Sequence, residues 1–259
     1  MDALTNRAIR AAGTPDSAWV PWLARQQLPL AAMQTLCPDE SRLVVVAPHP
    51  DDEVLACGGL LAMRAERGLP TLVIAVTDGE ASHNHTDNEG LAHLGASLGA
   101  NLGARRAEES YAGLLVLGVP RACVVRLGIA DGNASDCISE IARKLQALVK
   151  PSDVLVTTWC LDGHPDHESV SQAAMQACLI AGCRLLQAPV WMWHWAEPDD
   201  SRVPWGDLVA LNLPDYAIAA KQRALAQHRS QLAERGSLGP VLMPSIVERA
   251  SRSQEFYFQ

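Results

Sequence analysis

The stretch VVVAPHPDDEVLACGGLL, residues 44–61, decides the fold. It begins inside the predicted strand 42–47, in which residues 43–47 form the continuous apolar run typical of a strand buried on both faces of a parallel sheet. His49 and three consecutive acids follow the run, and helical spacing of apolar residues starts at Val54. Because three adjacent carboxylates repel one another, the loop between this strand and helix requires compensating positive charge.

Apolar runs and helical segments alternate along the rest of the chain. Strands are predicted at 42–47, 71–77, 122–127, 153–158, 189–195 and 208–213, and helices at 54–68, 105–118, 136–149 (with Asp136 near a capping position), 168–182 and 217–233. Residues 82–104 are polar and rich in glycine, which predicts a loop or lid. This alternation predicts a Rossmann-like α/β fold, with a mostly parallel sheet covered by helices on both faces. We expect one domain over 1–259, with a lead-in (1–40), a core (41–235) and a C-terminal tail (236–259).

Composition narrows the class of partner. The 259 residues carry a net charge of −8 and a pI near 5.4, so we expect neither a nucleic acid nor an anionic membrane as partner. The N-terminal residues contain no apolar core of signal-peptide length, and no stretch approaches a membrane span. Seven scattered cysteines, never spaced C-x-x-C, indicate reduced thiols in a cytoplasmic protein and no cysteine zinc site. Oligomeric state is not indicated by any sequence feature.

Polar clusters follow several of the predicted strands, at residues 49–53, 77–80, 131–132 and 164–167. In open parallel sheets, ligands bind outside the carboxyl ends of the strands. H-x-x-D and H-P-D-H together can supply two imidazoles and one carboxylate, the ligand count of a catalytic zinc site with an open position. A cation there would offset the repulsion among the acids, and one of the neighbours Asp51 and Asp52 would stay free to act on a water. The alternative is that the three acids cap the helix near Val54.

A-P-H-P-D-D-E (47–53) with a later H-P-D-H (164–167) resembles the PIG-L/LmbE family of metal-dependent N-deacetylases. Weaker motifs extend the resemblance over about residues 42–235: T-D-G-E-A-S (77–82), R-A-E-E (106–109) with L-G (117–118), L-G-I-A-D-G (127–132) and K-x-x-A-x-x-x-H-x-S-Q (221–231). Enzymes of this family remove acetyl groups from N-acetylglucosaminyl compounds and related amides. The resemblance therefore implies a hydrolase acting on a small amino-sugar substrate.

The resemblance also implies a role for each matching position. The implied zinc ligands are His49, Asp52 and His167, and iron(II) is the alternative metal because two histidines and an aspartate accept both. Asp51 would be the general base, His164 would polarise the amide oxygen or protonate the leaving amine, and Asp166 would hold and tune a histidine. Contacts to sugar or aglycone hydroxyls would come from Glu80, Arg106 and Asp131.

The expected reaction is hydrolysis of the N-acetyl group of a 2-acetamido sugar conjugate. Zinc activates water and polarises the carbonyl, a carboxylate beside it is a competent base, and a protonated imidazole would stabilise the oxyanion. The rivals are an amidase for another small amide, such as a thiol conjugate, and a non-catalytic metal-binding homologue. Asp51 and His164 argue against the non-catalytic homologue, which needs neither a base nor an acid. A nucleotide-binding module is not supported, since no G-x-G-x-x-G follows the first strand.

Several of these residues have a simpler interpretation. Glu80 can be an exposed turn acid, Arg106 and Glu109 a helix-surface pair, and Asp131 a tight-turn residue before Gly132. The histidines of the predicted loop (His83, His85 and His93) belong to a solvated segment, with a lid role as the alternative. The tryptophans on one face of the predicted strand 189–195 (Trp191, Trp193 and Trp195) form a core stripe, with an aromatic platform for a sugar ring as the alternative.

Overall fold

The computed structural model of the chain describes Arg7, Ile9 and residues 13–82, 92–235 and 239–259, with backbone only for 92–100. Seven strands form one sheet: β1 (Leu43–Ala47), β2 (Thr71–Thr77), β3 (Val124–Ile129), β4 (Val154–Thr158), β5 (Arg184–Ala188), β6 (Leu208–Asn212) and β7 (Gln254–Phe258). The helices of the described part are α1 (Asp16–Arg25), α2 (Met33–Leu36), α3 (Asp52–Glu66), α4 (Ala92–Val116), α5 (Ile138–Gln146), α6 (Pro165–Ala181), α7 (Met192–Trp195), α8 (Asp215–Leu225), α9 (Arg229–Leu232) and α10 (Pro244–Ala250).

The order of the strands in the sheet is β3-β2-β1-β4-β5-β7-β6, and the first five are parallel. β7 runs antiparallel to both β5 and β6. The chain builds outwards from β1 in one direction through β2 and β3, and then in the other through β4 and β5. The order therefore reverses between β1 and β4, and a crevice at such a switch point is where α/β sheets bind ligands. These findings confirm the predicted mostly parallel α/β fold.

Two apolar cores cover the two faces of the sheet. Leu43 and Val45 of β1 pack into one core with residues of α3 and α8, whereas Val44 and Val46 pack into the other with residues of α5 and α6. Alternate residues of β1 thus face opposite cores, and all five of its residues are buried. A continuous apolar run is what a strand covered on both faces requires. No described helix has the length and hydropathy needed to cross a bilayer.

Three of the predicted elements are wrong in the described part. The loop predicted at 82–104 is helical from Ala92. Gly103 lies where α4 passes close to the 78–80 loop, because a Cβ there would lie 3.2 Å from Glu80 Cβ. Gly103, one of the glycines that predicted a loop, instead allows close packing within a helix. Residues 83–91, with His83 and His85, and the His93 side chain lie outside the described residues.

The strand predicted at 189–195 is the second error: Arg184–Ala188 is the strand, and the segment after it turns into α7. The third is the helix 217–233, which breaks after Leu225; α9 starts anew where the Glu109 carboxylate accepts the Ser230 N–H. Asp136 does not cap α5, because it lies in the 3-10 turn Ala134–Cys137 before the helix. In each case a distant residue or a local turn decides the conformation.

Candidate metal centre

The polar residues after β1 and β4 meet at the switch point of the sheet. His49 lies in the turn between β1 and α3, and Asp52 is the first residue of α3. His167 lies in the first turn of α6, which begins at Pro165 because His164 serves as its N-cap and accepts the Asp166 N–H. Two parallel neighbouring strands thus deliver both sequence motifs to one place.

His49, Asp52 and His167 are buried and present one ligand atom each within 4.8 Å of one another. Asp52 Oδ2 lies 3.2 Å from His49 Nδ1 and 3.2 Å from His167 Nε2. His167 Nε2 is buried and has no hydrogen-bond partner, although a buried polar atom normally has one. Burial would lower the pKa of His167, but the Asp52 and Asp162 carboxylates raise it to about 9, so the pocket favours positive charge. These residues therefore fit a divalent cation.

Each of the two imidazoles also contacts carboxylates other than Asp52 through its second ring nitrogen. Asp162 Oδ2 lies 2.7 Å from His167 Nδ1, which leaves Nε2 of the ring for a metal. His49 Nε2 lies 3.1 Å from both Asp166 Oδ2 and Asp131 Oδ1, so its Nδ1, which faces Asp52 Oδ2 at 3.2 Å, is the ring nitrogen on the side of the other two candidate ligands. Such carboxylate–imidazole pairs fix the tautomer and orientation of metal-ligating histidines.

A second group, His49, His164 and Asp166, also brings three ligand atoms together. Asp166 is less available in it, since its carboxylate accepts the N–H groups of Gly132 (2.9 Å) and Ala134 (3.2 Å) besides contacting His49. Burial would raise the pKa of Asp166, but the hydrogen bond with His49 lowers it to about 2. The first group thus fits a metal better, and Asp166 holds His49 and the 132–134 turn.

Asp51 stands beside the candidate ligands, and its side chain makes no capping hydrogen bond to α3. The capping interpretation of this acid is therefore wrong. Its carboxylate accepts a hydrogen bond from Arg106 Nη2 at 3.2 Å. Burial raises the pKa of Asp51 to about 7, against the lowering effect of the Arg106 charge. A carboxyl that titrates near neutral pH suits a general base.

His164 lies beside both metal-ligand candidates, with its ring centroid 4.8 Å from that of His49 and 4.8 Å from that of His167. Burial, followed by the charges of these two histidines, lowers the pKa of His164 to about 3. This lowering favours a neutral ring over the protonated imidazole expected from the sequence, and the role of His164 stays a prediction. Its Nδ1 accepts the Asp166 N–H (3.2 Å), so the ring proton sits on Nε2 and can be donated in a hydrogen bond.

The three predicted substrate-binding residues all have partners within the protein. Glu80 Oε1 accepts the Asp131 N–H (2.9 Å), and Asp131 Oδ2 accepts the Ala81 N–H (2.9 Å). Arg106 is only 3% exposed and donates to the carbonyls of Gly79 and Pro50 as well as to Asp51. Gly79 makes room for it, because a Cβ there would lie 2.0 Å from Arg106 Nη1. Contacts from these residues to a substrate stay a prediction.

The pairs that structure assigns differ from those suggested by sequence spacing. Arg106 pairs with Asp51 rather than with Glu109, which binds Arg105 and Ser230. Trp193 and Trp195 are buried in an aromatic cluster with α1, β6 and β7, as the core interpretation requires, and Trp191 is partly buried against the same cluster. Sequence reasoning missed Asp162, although its position five residues before His167 was a short-range signal.

Asp162 provides a first test of the centre. Its Oδ1 accepts the Val190 and Met192 N–H groups and its Oδ2 the Trp191 N–H, so the carboxylate also shapes the turn into α7. We expect Asp162→Asn, which removes the charge behind His167, to weaken metal binding by about 10- to 100-fold. Competition with a chromophoric chelator measures this, with the exposed Asp136→Asn as control. Equal affinities for the two variants would contradict the support role.

Comparison with known proteins gives four findings. The family model described as "PIG-L: GlcNAc-PI de-N-acetylase" matches residues 44–178. The 1D-myo-inositol 2-acetamido-2-deoxy-alpha-D-glucopyranoside deacetylase 2 of Catenulispora acidiphila is 26% identical over 270 residues, covering 83% of this chain and 87% of its own. The diacetylchitobiose deacetylase of Thermococcus kodakarensis is 26% identical over 149 residues, covering 56% of this chain and 51% of its own. A teicoplanin deacetylase solved in a zinc-inhibited form shares the fold, with a TM-score of 0.64 at 18% identity over 84% of this chain and 97% of that one.

Proposed function

This chain belongs to the GlcNAc-PI de-N-acetylase (PIG-L) family, and on that premise we propose that it hydrolyses the N-acetyl amide of a 2-acetamido sugar conjugate, releasing acetate and a free amine. The observation that carries the proposal is the buried set of His49, Asp52 and His167, with the carboxylate of Asp51 left over beside it. A site that only bound a metal would need no further carboxylate at that position. The Catenulispora and Thermococcus deacetylases are named for an acetamido glucopyranoside and for diacetylchitobiose, which supports this substrate class.

The metal is zinc in this proposal, with iron(II) as the alternative. His49 Nδ1, His167 Nε2 and the Asp52 carboxylate would hold it, backed by Asp131, Asp162 and Asp166. When bound, such a cation acidifies a water molecule and polarises the amide carbonyl. Proton transfer and stabilisation of the amide oxygen are assigned to side chains of the protein.

Asp51 takes the proton from the attacking water in this proposal. Its carboxylate does not belong to the ligand set, and Arg106 fixes its Oδ2. The guanidinium also keeps the carboxyl from becoming a permanently protonated acid, since burial alone would raise its pKa further. Arg106 is thus a positioning residue as well as a predicted substrate contact.

His164 stabilises the negative charge that develops on the amide oxygen. Its neutral ring would donate a hydrogen bond from Nε2, because Nδ1 is occupied by the Asp166 N–H. A preorganised donor of this kind is worth about 10²- to 10³-fold in kcat. The leaving amine would receive its proton from the acid that Asp51 has become, since a carboxyl with a pKa near 7 can both take and return a proton.

An acetate-release assay tests the proposal. Purified protein is given a panel of N-acetylglucosaminides, with an N-acylated thiol conjugate as the other amide, each with and without a chelator. We expect chelator-sensitive acetate release from at least one acetamido sugar. Release of amine from the thiol conjugate alone would move the activity to another amide, and metal-replete protein that cleaves no member of the panel would contradict a deacetylase.

A further inference from the structure

The third acid of the 49–53 motif, Glu53, has no place among the ligands or the reacting groups. Its side chain is nonetheless buried, at 1% exposure, between α3 and α4. Glu53 Oε2 accepts the Asp51 N–H at 3.0 Å, and Oε1 accepts the Ser110 hydroxyl at 2.6 Å. One carboxylate therefore ties the backbone of Asp51 to a helix that lies 57 residues further along the chain.

The backbone of Asp51 needs such a tie. Its φ of 139° and ψ of −28° lie in a region that residues with a Cβ rarely adopt. A conformation of this kind persists only where the surrounding structure over-determines it, and such positions cluster at active sites. At Asp51 the main chain is held by Glu53 and the carboxylate by Arg106.

The arrangement is similar to one half of a capping box, but the acid is one position earlier. In the capping box the acid is the third helical residue and accepts the N–H of the N-cap residue, and the N-cap side chain returns a bond to the helix; Glu53 is the second residue of α3. Glu53 supplies the first bond, but the N-cap side chain of Asp51 makes no bond to α3. This side chain accepts a hydrogen bond from Arg106 instead. Its carboxylate therefore does not cap the helix and can act as the proposed general base.

We propose that Glu53, anchored by Ser110, is a positioning residue that holds Asp51 in its strained conformation and so aims its carboxylate. The catalytic part of this proposal rests on the proposed function, since it assigns Asp51 as the base. The mechanical part, a clamp on the main chain of residue 51, does not.

The catalytic part is tested by a double-mutant cycle with Asp51. Glu53→Ala is expected to lower kcat about 10²-fold through misplacement of the base, with KM and bound metal unchanged. Glu53→Gln, whose amide oxygen can still accept the Asp51 N–H and whose amino group can reach the Ser110 hydroxyl, is expected to lose less than about tenfold. In the Asp51→Ala background, Glu53→Ala is expected to cost nothing further.

The matched control for Glu53→Gln is Glu66→Gln, which changes an exposed glutamate of the same helix. The matched control for Ser110→Ala is Ser139→Ala, which changes an exposed serine. Ser110→Ala is expected to lower kcat about tenfold, because the glutamate loses one of its two anchors. Equal losses from Glu53→Ala in the wild-type and Asp51→Ala backgrounds would overturn the proposal. So would loss of bound metal from Glu53→Ala, which would make Glu53 a support of the metal site.

Thermal unfolding tests the clamp without any substrate. Asp51→Gly and Asp51→Ala both remove the carboxylate, so the difference between their Tm values reports backbone strain at this position. With Glu53 present we expect the glycine variant to melt about 2–4 °C higher, because only glycine adopts this φ freely. With Glu53→Ala in the same chain the difference is expected to vanish, since the released backbone relaxes. A Tm difference that stays unchanged in the Glu53→Ala chain would overturn the proposed clamp. This measurement tests the clamp even if no substrate of the panel is hydrolysed.

Discussion

Replacing Asp51 by asparagine is expected to lower kcat for acetate release by about 10²- to 10⁴-fold, the usual contribution of a general base. Asparagine keeps the size of the side chain and an oxygen that can still accept a hydrogen bond from Arg106. In the wild-type protein Arg106 donates to the Asp51 carboxylate at 3.2 Å. Asparagine cannot take a proton from water. Because His49, Asp52 and His167 are untouched, we expect bound metal to stay at the wild-type level.

Steady-state kinetics and metal analysis on the same preparations measure both quantities. The exposed Asp207→Asn is the matched control and is expected to behave as wild type. An Asp51→Asn protein that has lost its metal would move Asp51 into the ligand set. A metal-replete variant with wild-type kcat would leave the reaction without this base.

The second large effect concerns Glu255 and the stability of the fold. Helix α3 departs from helical geometry at Cys57, where φ is −151° and ψ is 27°, which frees backbone groups of the next turn. Glu255 of β7 accepts the N–H groups of Gly59 (2.7 Å) and Leu60 (2.9 Å), and it pairs with Lys221 at 2.7 Å. Removing one partner of a buried, hydrogen-bonded charge pair costs about 3–5 kcal/mol. We therefore expect Glu255→Ala to lower the free energy of unfolding by that amount.

Urea unfolding followed by circular dichroism measures the loss, with the exposed Glu248→Ala as control. Lys221 makes the loss larger, because its ammonium also donates to the Leu55 carbonyl (3.1 Å) and would stay buried without a counter-charge. A cost below about 1 kcal/mol, the value typical of an exposed ion pair, would contradict a structural role for the cluster.

Local sequence signals predicted the parts of the molecule that local physics decides. The continuous apolar runs located β1, β2 and β4, because a strand covered on both faces has no polar side to interrupt the run. The two histidine–aspartate motifs follow β1 and β4, and the topology of a parallel sheet brings their carboxyl ends together. The candidate ligands His49, Asp52 and His167 could therefore be proposed from order and spacing alone.

Contacts between residues far apart in the sequence determine the features that local sequence patterns did not predict. The alternating residues 189–195 resemble a strand, but the Asp162 carboxylate collects three successive backbone N–H groups there and bends the chain into α7. Arg106 has Glu109 at helical spacing, yet it pairs with Asp51, 55 residues away. Both pairings depend on which segments the fold places side by side, and this information is absent from local periodicity.

Metal-dependent deacetylation is tested most directly by a metal titration of chelator-treated protein. Acetate release from an N-acetylglucosaminide is followed at each addition of zinc. Activity is expected to rise in proportion to bound metal and to stop rising at about one ion per chain, the stoichiometry of a single three-ligand site. His167→Ala protein should neither retain the metal nor regain activity. Full activity of the chelator-treated protein before any metal is added would contradict metal-dependent deacetylation at this site.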